Sequence, residues 1–259
     1  MVVGVLFAAV SFADTKPASA EQVLKELHRT AAPGARWLNF GGDSYVRARI
    51  HTVTSVSSMI EQKGERTETR LEELNYQIDD EIVTADWDGD HKEFITRSRY
   101  PLEVSEFVES KATRLPDDSV PIGKKVYPAQ VYQFEKSFNV LTETRTIRWT
   151  FWLSPDVPGG ELRRVTESES SDPGYGSRED MKLTDLDVRL VVGGKTLHCY
   201  CMESEETDVD GTVQRENICY NDSVPGGIVS KQIRVLKHGQ ETQRQEYVVI
   251  DYHVEPMSL

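Results

Sequence analysis

The four-residue string Val157-Pro158-Gly159-Gly160 returns letter for letter at Val224-Pro225-Gly226-Gly227. Proline holds φ at about −65° and suits position i+1 of a type II turn, while glycine at i+2 accepts the positive φ that this turn demands. A valine before proline is kept extended. Each string therefore predicts a tight reversal between two extended segments, and a chain that uses it twice is built for antiparallel sheet.

The flanks of the string repeat too. The run Arg148-Trp149-Thr150-Phe151-Trp152-Leu153, leading into Val157-Pro158-Gly159-Gly160, has a counterpart 67 residues later that starts at Arg215 and carries Ile218-Cys219-Tyr220. Phe151 and Leu153 align with Ile218 and Tyr220, and such alternate positions place one side of each strand in a core. Upstream, Val120-x-x-Gly123-Lys124 matches Val191-x-x-Gly194-Lys195. The expected unit is a Gly-Lys turn, a hairpin, a strand, the V-P-G-G turn and a return strand. The turns read first as rigid strand connections and second as displayed recognition loops.

Extended patterns fill most of the remaining chain. Val46, Ala48, Ile50 and Thr52 alternate with polar neighbours, and Glu68 to Ile78, Glu81 to Asp86 and Lys92 to Arg97 read as further strands, the last two joined by Asp88-Gly89. A charged hairpin region is expected around Gln62 to Glu65. Pro101 to Ala112 fits a short helix better than a strand, with Leu115 to Ser119 a loop after it. Lys125 to Phe138, Thr142 to Leu153 and Glu161 to Glu169 follow as strands. Ser168 to Met181 reads as a polar connector. Thr184 to Val192, Lys195 to Glu203, Thr212 to Tyr220, Ile228 to Leu236 and Glu241 to Val254 complete the series. One helix, Ala20 to Ala31, is expected at the start, capped by Ser19 and Gln22 and stopped by Pro33-Gly34. About a dozen strands with one leading helix make a mainly β protein. Residues 21–118 form a first sheet region and 119–259 the duplicated one, either as two regions or as one continuous domain.

The N-terminus speaks to compartment. Val2 to Ala13 is nearly all apolar, too short to span a bilayer, and Ala18-Ser19-Ala20 has the form of a signal-peptidase site, with Ser11-Phe12-Ala13 a second candidate. No Lys or Arg precedes the apolar run, so a buried first strand is the alternative. The expectation is a signal peptide over residues 1–20 and an exported protein, periplasmic or extracellular, with no transmembrane segment. A net charge of −13 repels nucleic acid, and no basic cluster with interleaved aromatics reverses it.

Chemistry-bearing motifs are sparse. Asp86, Asp88 and Asp90 surround Gly89 as in part of a calcium loop, but Asp-Gly is itself a turn pair, so calcium is a minor expectation and no cofactor is predicted. Of three cysteines, Cys219 falls opposite Cys201 if Val209-Asp210-Gly211 is a hairpin loop. Cys201 and Cys219 are thus the disulfide candidates, with Cys199 as the other partner for Cys219, and His198 beside them leaves soft-metal binding as a lesser reading. Six scattered histidines form no catalytic motif. An enzyme would need His198, Cys201, Asp86 and Asp251 to converge, and His253 beside Asp251 reads as an edge pair. Asn221-Asp222-Ser223 matches a glycosylation sequon. Ile147, Trp149, Phe151 and Leu153 share one face of a strand, with Trp152 on the other. They serve either as core or as the apolar lining of a ligand site.

A leading helix over Ala20-Glu21-Gln22-Val23-Leu24-Lys25-Glu26-Leu27, then long antiparallel strands, then an aromatic strand into Trp152-Leu153-Ser154 and a proline turn, looks like the exported lipoprotein-carrier superfamily. That resemblance implies a curved antiparallel sheet, or half-barrel, wrapped around a helical lid, with acyl chains held in the concave face. The expectation is a non-catalytic envelope protein that binds a hydrophobic ligand or an envelope protein. The alternatives are a structural or interaction module without a small ligand, and an enzyme without a readable motif.

Overall fold

The structure is a computed structural model that describes residues 22–23, 40, 44–56, 66–79, 82–87, 91–96, 111–140, 143–172 and 174–255, with side chains described for all of these except 55–56, 66–79, 82–87, 91–96 and 140. The expected signal peptide, Gln62 to Glu65, Asp88 to Asp90 and residues 101–110 lie outside them. Of the leading helix, Gln22 and Val23 are described, and both are helical.

Fourteen strands form one antiparallel sheet. They are β1 (Tyr45–Val56), β2 (Arg66–Asp79), β3 (Ile82–Trp87), β4 (His91–Thr96), β5 (Lys111–Arg114), β6 (Asp118–Ile122) and β7 (Lys125–Val140). β8 (Glu143–Leu153), β9 (Glu161–Ser170), β10 (Gly176–Val192), β11 (Lys195–Asp208), β12 (Val213–Tyr220), β13 (Ile228–Lys237) and β14 (Gln240–His253) follow. The spatial order is β4-β3-β2-β1-β14 and then strand by strand down to β7 and β5, with β6 also pairing β7. β1 therefore pairs with β14, and residues before and after 118 share one sheet. Tyr45 opposes His253, and Glu255 N–H donates to Ser44 Oγ at 2.9 Å, so the two ends of this sheet path meet at one seam.

The sheet is open and curved, mainly β as the alternation required. Chain length alone demands the curvature. Laid flat, the thirteen strands from β4 to β5 would separate those edges by about 58 Å. The chain from Thr96 to Lys111 reaches at most about 54 Å. The bending is local and occurs twice. Gly193 N–H, at the tip of the β10–β11 hairpin, donates to Ile250 O on β14 at 3.2 Å, across the two intervening strands β12 and β13. β10 shifts register between Leu183 and Asp185 and again before Val188, and such bulges bend a strand and raise its twist. In the same way Val120 and Ile122 of β6 pack on Leu162, Met181 and Leu183 of β9 and β10. Each hairpin is thus an arch over the two strands joined by V-P-G-G.

The two arches are filled alike. Ile122, Ala129, Val157 and Leu162 are buried in the first, and Val192, Cys199, Val224 and Val229 hold the corresponding places in the second. Both V-P-G-G turns have the expected type II form. Gly160 N–H donates to Val157 O at 3.1 Å and Gly227 N–H to Val224 O at 2.8 Å, with φ of +70° at Gly159 and +76° at Gly226. Each loop is then closed by Ser154 N–H to Gly160 O or Asn221 N–H to Gly227 O, both 2.8 Å. The prolines and glycines shape the loop so that a valine drops into the arch. The hairpin turns align one residue away from the sequence match. Ile122 opposes Lys125 and Val192 opposes Lys195, so Gly123 corresponds to Gly193 rather than Gly194.

Three expectations along the chain change. The connector between β9 and β10 spans only residues 171–175, because Gly176 to Met181 belongs to β10. Its polarity hid it, since polar ladders hold this stretch: Arg178 bonds Glu167 at 2.7 Å, Arg163 bonds Asp180 at 2.8 Å, and Ser168 and Ser177 hydroxyls lie 3.3 Å apart. Lys111 and Ala112 begin strand β5 instead of ending a helix, and Asp118 and Ser119 already belong to β6. Leu115 to Asp117 is the corner between these two, and Leu115 N–H still reaches Val131 O at 2.9 Å.

Candidate functional site

The aromatic strand β8 lies in the middle of the β7–β8–β9 ladder. Its odd positions face one way, and register supplies their neighbours. Phe151 opposes Tyr132 and Trp149 opposes Phe134 on β7. Together with Leu153 these side chains form one buried cluster, and Val23 of the leading helical turn is buried in it as well. Ile147 and Ala112 are half-buried at its margin. Phe134 meets Phe151 edge to face, centroids 5.7 Å apart, a favourable ring geometry. Burial pushes the Tyr132 phenol above its ordinary pKa, with the Arg114 guanidinium over its ring opposing. The Tyr132 hydroxyl donates to Gln130 Oε1 at 2.8 Å.

The same face of β8 continues past Ile147 to Arg145. That end opens into a cavity of about 500 Å³ lined by Phe138, Arg145, Ile147, Ser168, Tyr175, Val209 and neighbouring polar groups. The Arg145 guanidinium lies 5.1 Å from the Tyr175 ring centroid, a cation–π contact. The even positions of β8 face the other way. Trp152 packs against the first arch, with Arg163 over its ring at 4.8 Å. On this side a polar trough of about 940 Å³ runs past Arg163, Asp180, Lys182, Glu203, Arg215 and Arg234.

The four predicted lining residues Ile147, Trp149, Phe151 and Leu153 thus share one patch. The sequence reading missed Val23, Tyr132, Phe134, Arg145 and Tyr175. Tyr132 and Phe134 carried an alternation signal in the run from Lys125. Arg145 and Tyr175 carried none, because they meet only through register.

The other candidates stay apart. Asp86 pairs with Asn75 and Lys92 in the β3 ladder, while Asp88 and Asp90 lie outside the described residues. Among the described residues no three His, Cys, Asp or Glu side chains cluster as a metal site. Cys201 opposes Cys219 and is bonded to it, and Cys199 is a buried free thiol whose pKa burial pushes up. His198 Nδ1 lies 2.5 Å from Asp187 Oδ1 at an exposed position, where the bond lowers the Asp187 pKa. Asp251 accepts from Tyr45 Oη at 3.3 Å, and His253 stacks on Tyr45 with its Nε2 3.5 Å from Glu255. The proposed catalytic set is therefore dispersed among separate partners. Among the described residues no helix is long and apolar enough to cross a membrane. Comparison with protein-family models, with curated proteins and with solved structures returned no match.

Proposed function

We propose that this chain is a non-catalytic, exported binding protein of the cell envelope that holds an apolar chain against the aromatic face of β7 and β8. One observation carries the reading. Trp149, Phe151, Leu153, Tyr132 and Phe134 form a single patch on an open curved sheet, and a residue of the leading helix, Val23, caps it. A sheet face covered by a short helix gives way to an apolar ligand at lower cost than a patch enclosed by a second sheet. The resemblance to the exported lipoprotein carriers supports the same arrangement of sheet, lid and acyl chain.

The experiment is a titration of the purified protein with N-phenylnaphthylamine, a dye that brightens in apolar sites. Brightening that laurate reverses, and that Ile147→Asp weakens while far-UV circular dichroism is unchanged, supports the reading. No brightening, or brightening indifferent to Ile147→Asp and laurate, overturns it. Export is tested separately by intact mass: a mature chain beginning after Ala20 supports it, and retention of Met1 to Ala20 in cells overturns it.

A second reading is favoured by the two arches, which are filled by their own side chains. In it the chain is a structural module without a small ligand, and the dye stays dark.

A further inference from the structure

The polar end of the patch names the ligand's chemistry, and this inference rests on the function proposed above. One face of β8 reads Leu153, Phe151, Trp149, Ile147 and then Arg145, an apolar ladder that ends on a cation. Ile147 both borders the aromatic cluster and lines the cavity at the foot of β8, so patch and cavity are continuous. Inside that cavity Arg145 Nε is shielded from solvent and has no hydrogen-bond acceptor. Its nearest carboxylate is Glu143, 3.5 Å from the terminal nitrogen, and its ring contact with Tyr175 uses the guanidinium face and leaves the edge. A shielded donor without an acceptor is costly, most of all on a charged group. An oxygen from outside the chain would relieve it.

The surrounding charge decides what kind of oxygen. Glu169, Asp208 and Asp210 also line the cavity, so carboxylates outnumber the one arginine. They repel a free carboxylate or phosphate head. An uncharged carbonyl escapes that repulsion and still accepts from Nε. We propose that the cavity at the foot of β8 holds the head of a neutral acyl ester, with Arg145 Nε–H donating to the ester carbonyl and the acyl chain lying along Ile147, Trp149 and Phe151.

The test compares three probes of equal chain length below their micelle concentrations: glycerol monolaurate, its dodecyl glycerol ether, and laurate. The ester and the ether differ only by the carbonyl. The expected result is ester binding about tenfold or more tighter than ether, as suits a hydrogen bond to a charged group. Laurate should bind more weakly than the ester. Arg145→Met should erase the ester-over-ether gap and leave ether binding unchanged, while Arg145→Lys should keep part of the gap. Circular dichroism of both variants confirms that they fold. Equal ester and ether affinities, a gap that survives Arg145→Met, or laurate binding tightest would overturn the assignment and leave the carrier reading standing. If none of the three probes binds, the carrier reading falls with it.

Discussion

Cys201 and Cys219 are bonded directly across β11 and β12, at the places that Val131 and Trp152 occupy across β7 and β8 in the first arch. One arch packs an apolar pair where the other is cross-linked. The cross-link closes a short loop, with a sequence separation of 18, and on chain entropy alone is worth about 3 kcal/mol. Cys219→Ser, or reduction of the wild type, should lower stability by that order in urea melts. An unchanged midpoint on reduction would refute the bond.

The V-P-G-G valines should matter more than their prolines. Val224 is fully buried and Val157 nearly so, each in a separate arch. Truncating either to alanine removes two methyl groups from a packed core, at about 2 kcal/mol. Gly226→Ala places a side chain at φ +76°, and Gly159→Ala at +70° with its new Cβ 3.4 Å from Tyr200 Oη. Left-handed backbone costs about 1–2 kcal/mol for such residues. Thermal melts of the four variants check this. Losses confined to one arch's variants would mean that the two turns are not equivalent.

Turns and strands could be read because their chemistry is local. Proline, glycine and alternation act within a few residues, and they placed Val157, Val224 and the face bearing Trp149 and Phe151. The arches could not be read, because they depend on contacts such as Gly193 with Ile250, which no local pattern encodes. Gly176 to Met181 failed for another reason. Both faces of that stretch are polar, and alternation signals a strand only when one face is apolar. Arg145 and Tyr175 were invisible because their meeting depends on the register of β8 and on the short loop after β9.

Cys199 should behave as an inert thiol. It is fully buried, and desolvation raises its pKa above the ordinary thiol value. A group whose folded pKa is raised contributes stability that is complete below the unfolded pKa, about 8.5 for cysteine, and is lost as pH rises through the folded one. Alkylation by iodoacetamide at neutral pH should therefore be slow and should track unfolding. Cys199→Ala should flatten part of the alkaline fall in stability. Rapid labelling of the native protein at pH 7 would contradict the burial.

Asp118 ties β6 to β8. Its carboxylate accepts from Trp152 Nε1 at 3.0 Å and from Ser119 N–H at 2.7 Å, and those bonds, the backbone one first, hold its pKa below the usual carboxylate range. A depressed folded pKa means that the contribution is present above the unfolded value, about 3.9, and disappears as pH falls through the folded one. The group is exposed, so global stability should barely respond. The local signal should be clear: indole emission from Trp152, isolated by difference against Trp152→Phe, should shift on acidification below about pH 4. In Asp118→Asn that shift should be absent, because the amide does not titrate. An acid shift of the same size in Asp118→Asn would show that Trp152 reports some other group, and the β6 arch would then be anchored by its apolar contacts alone.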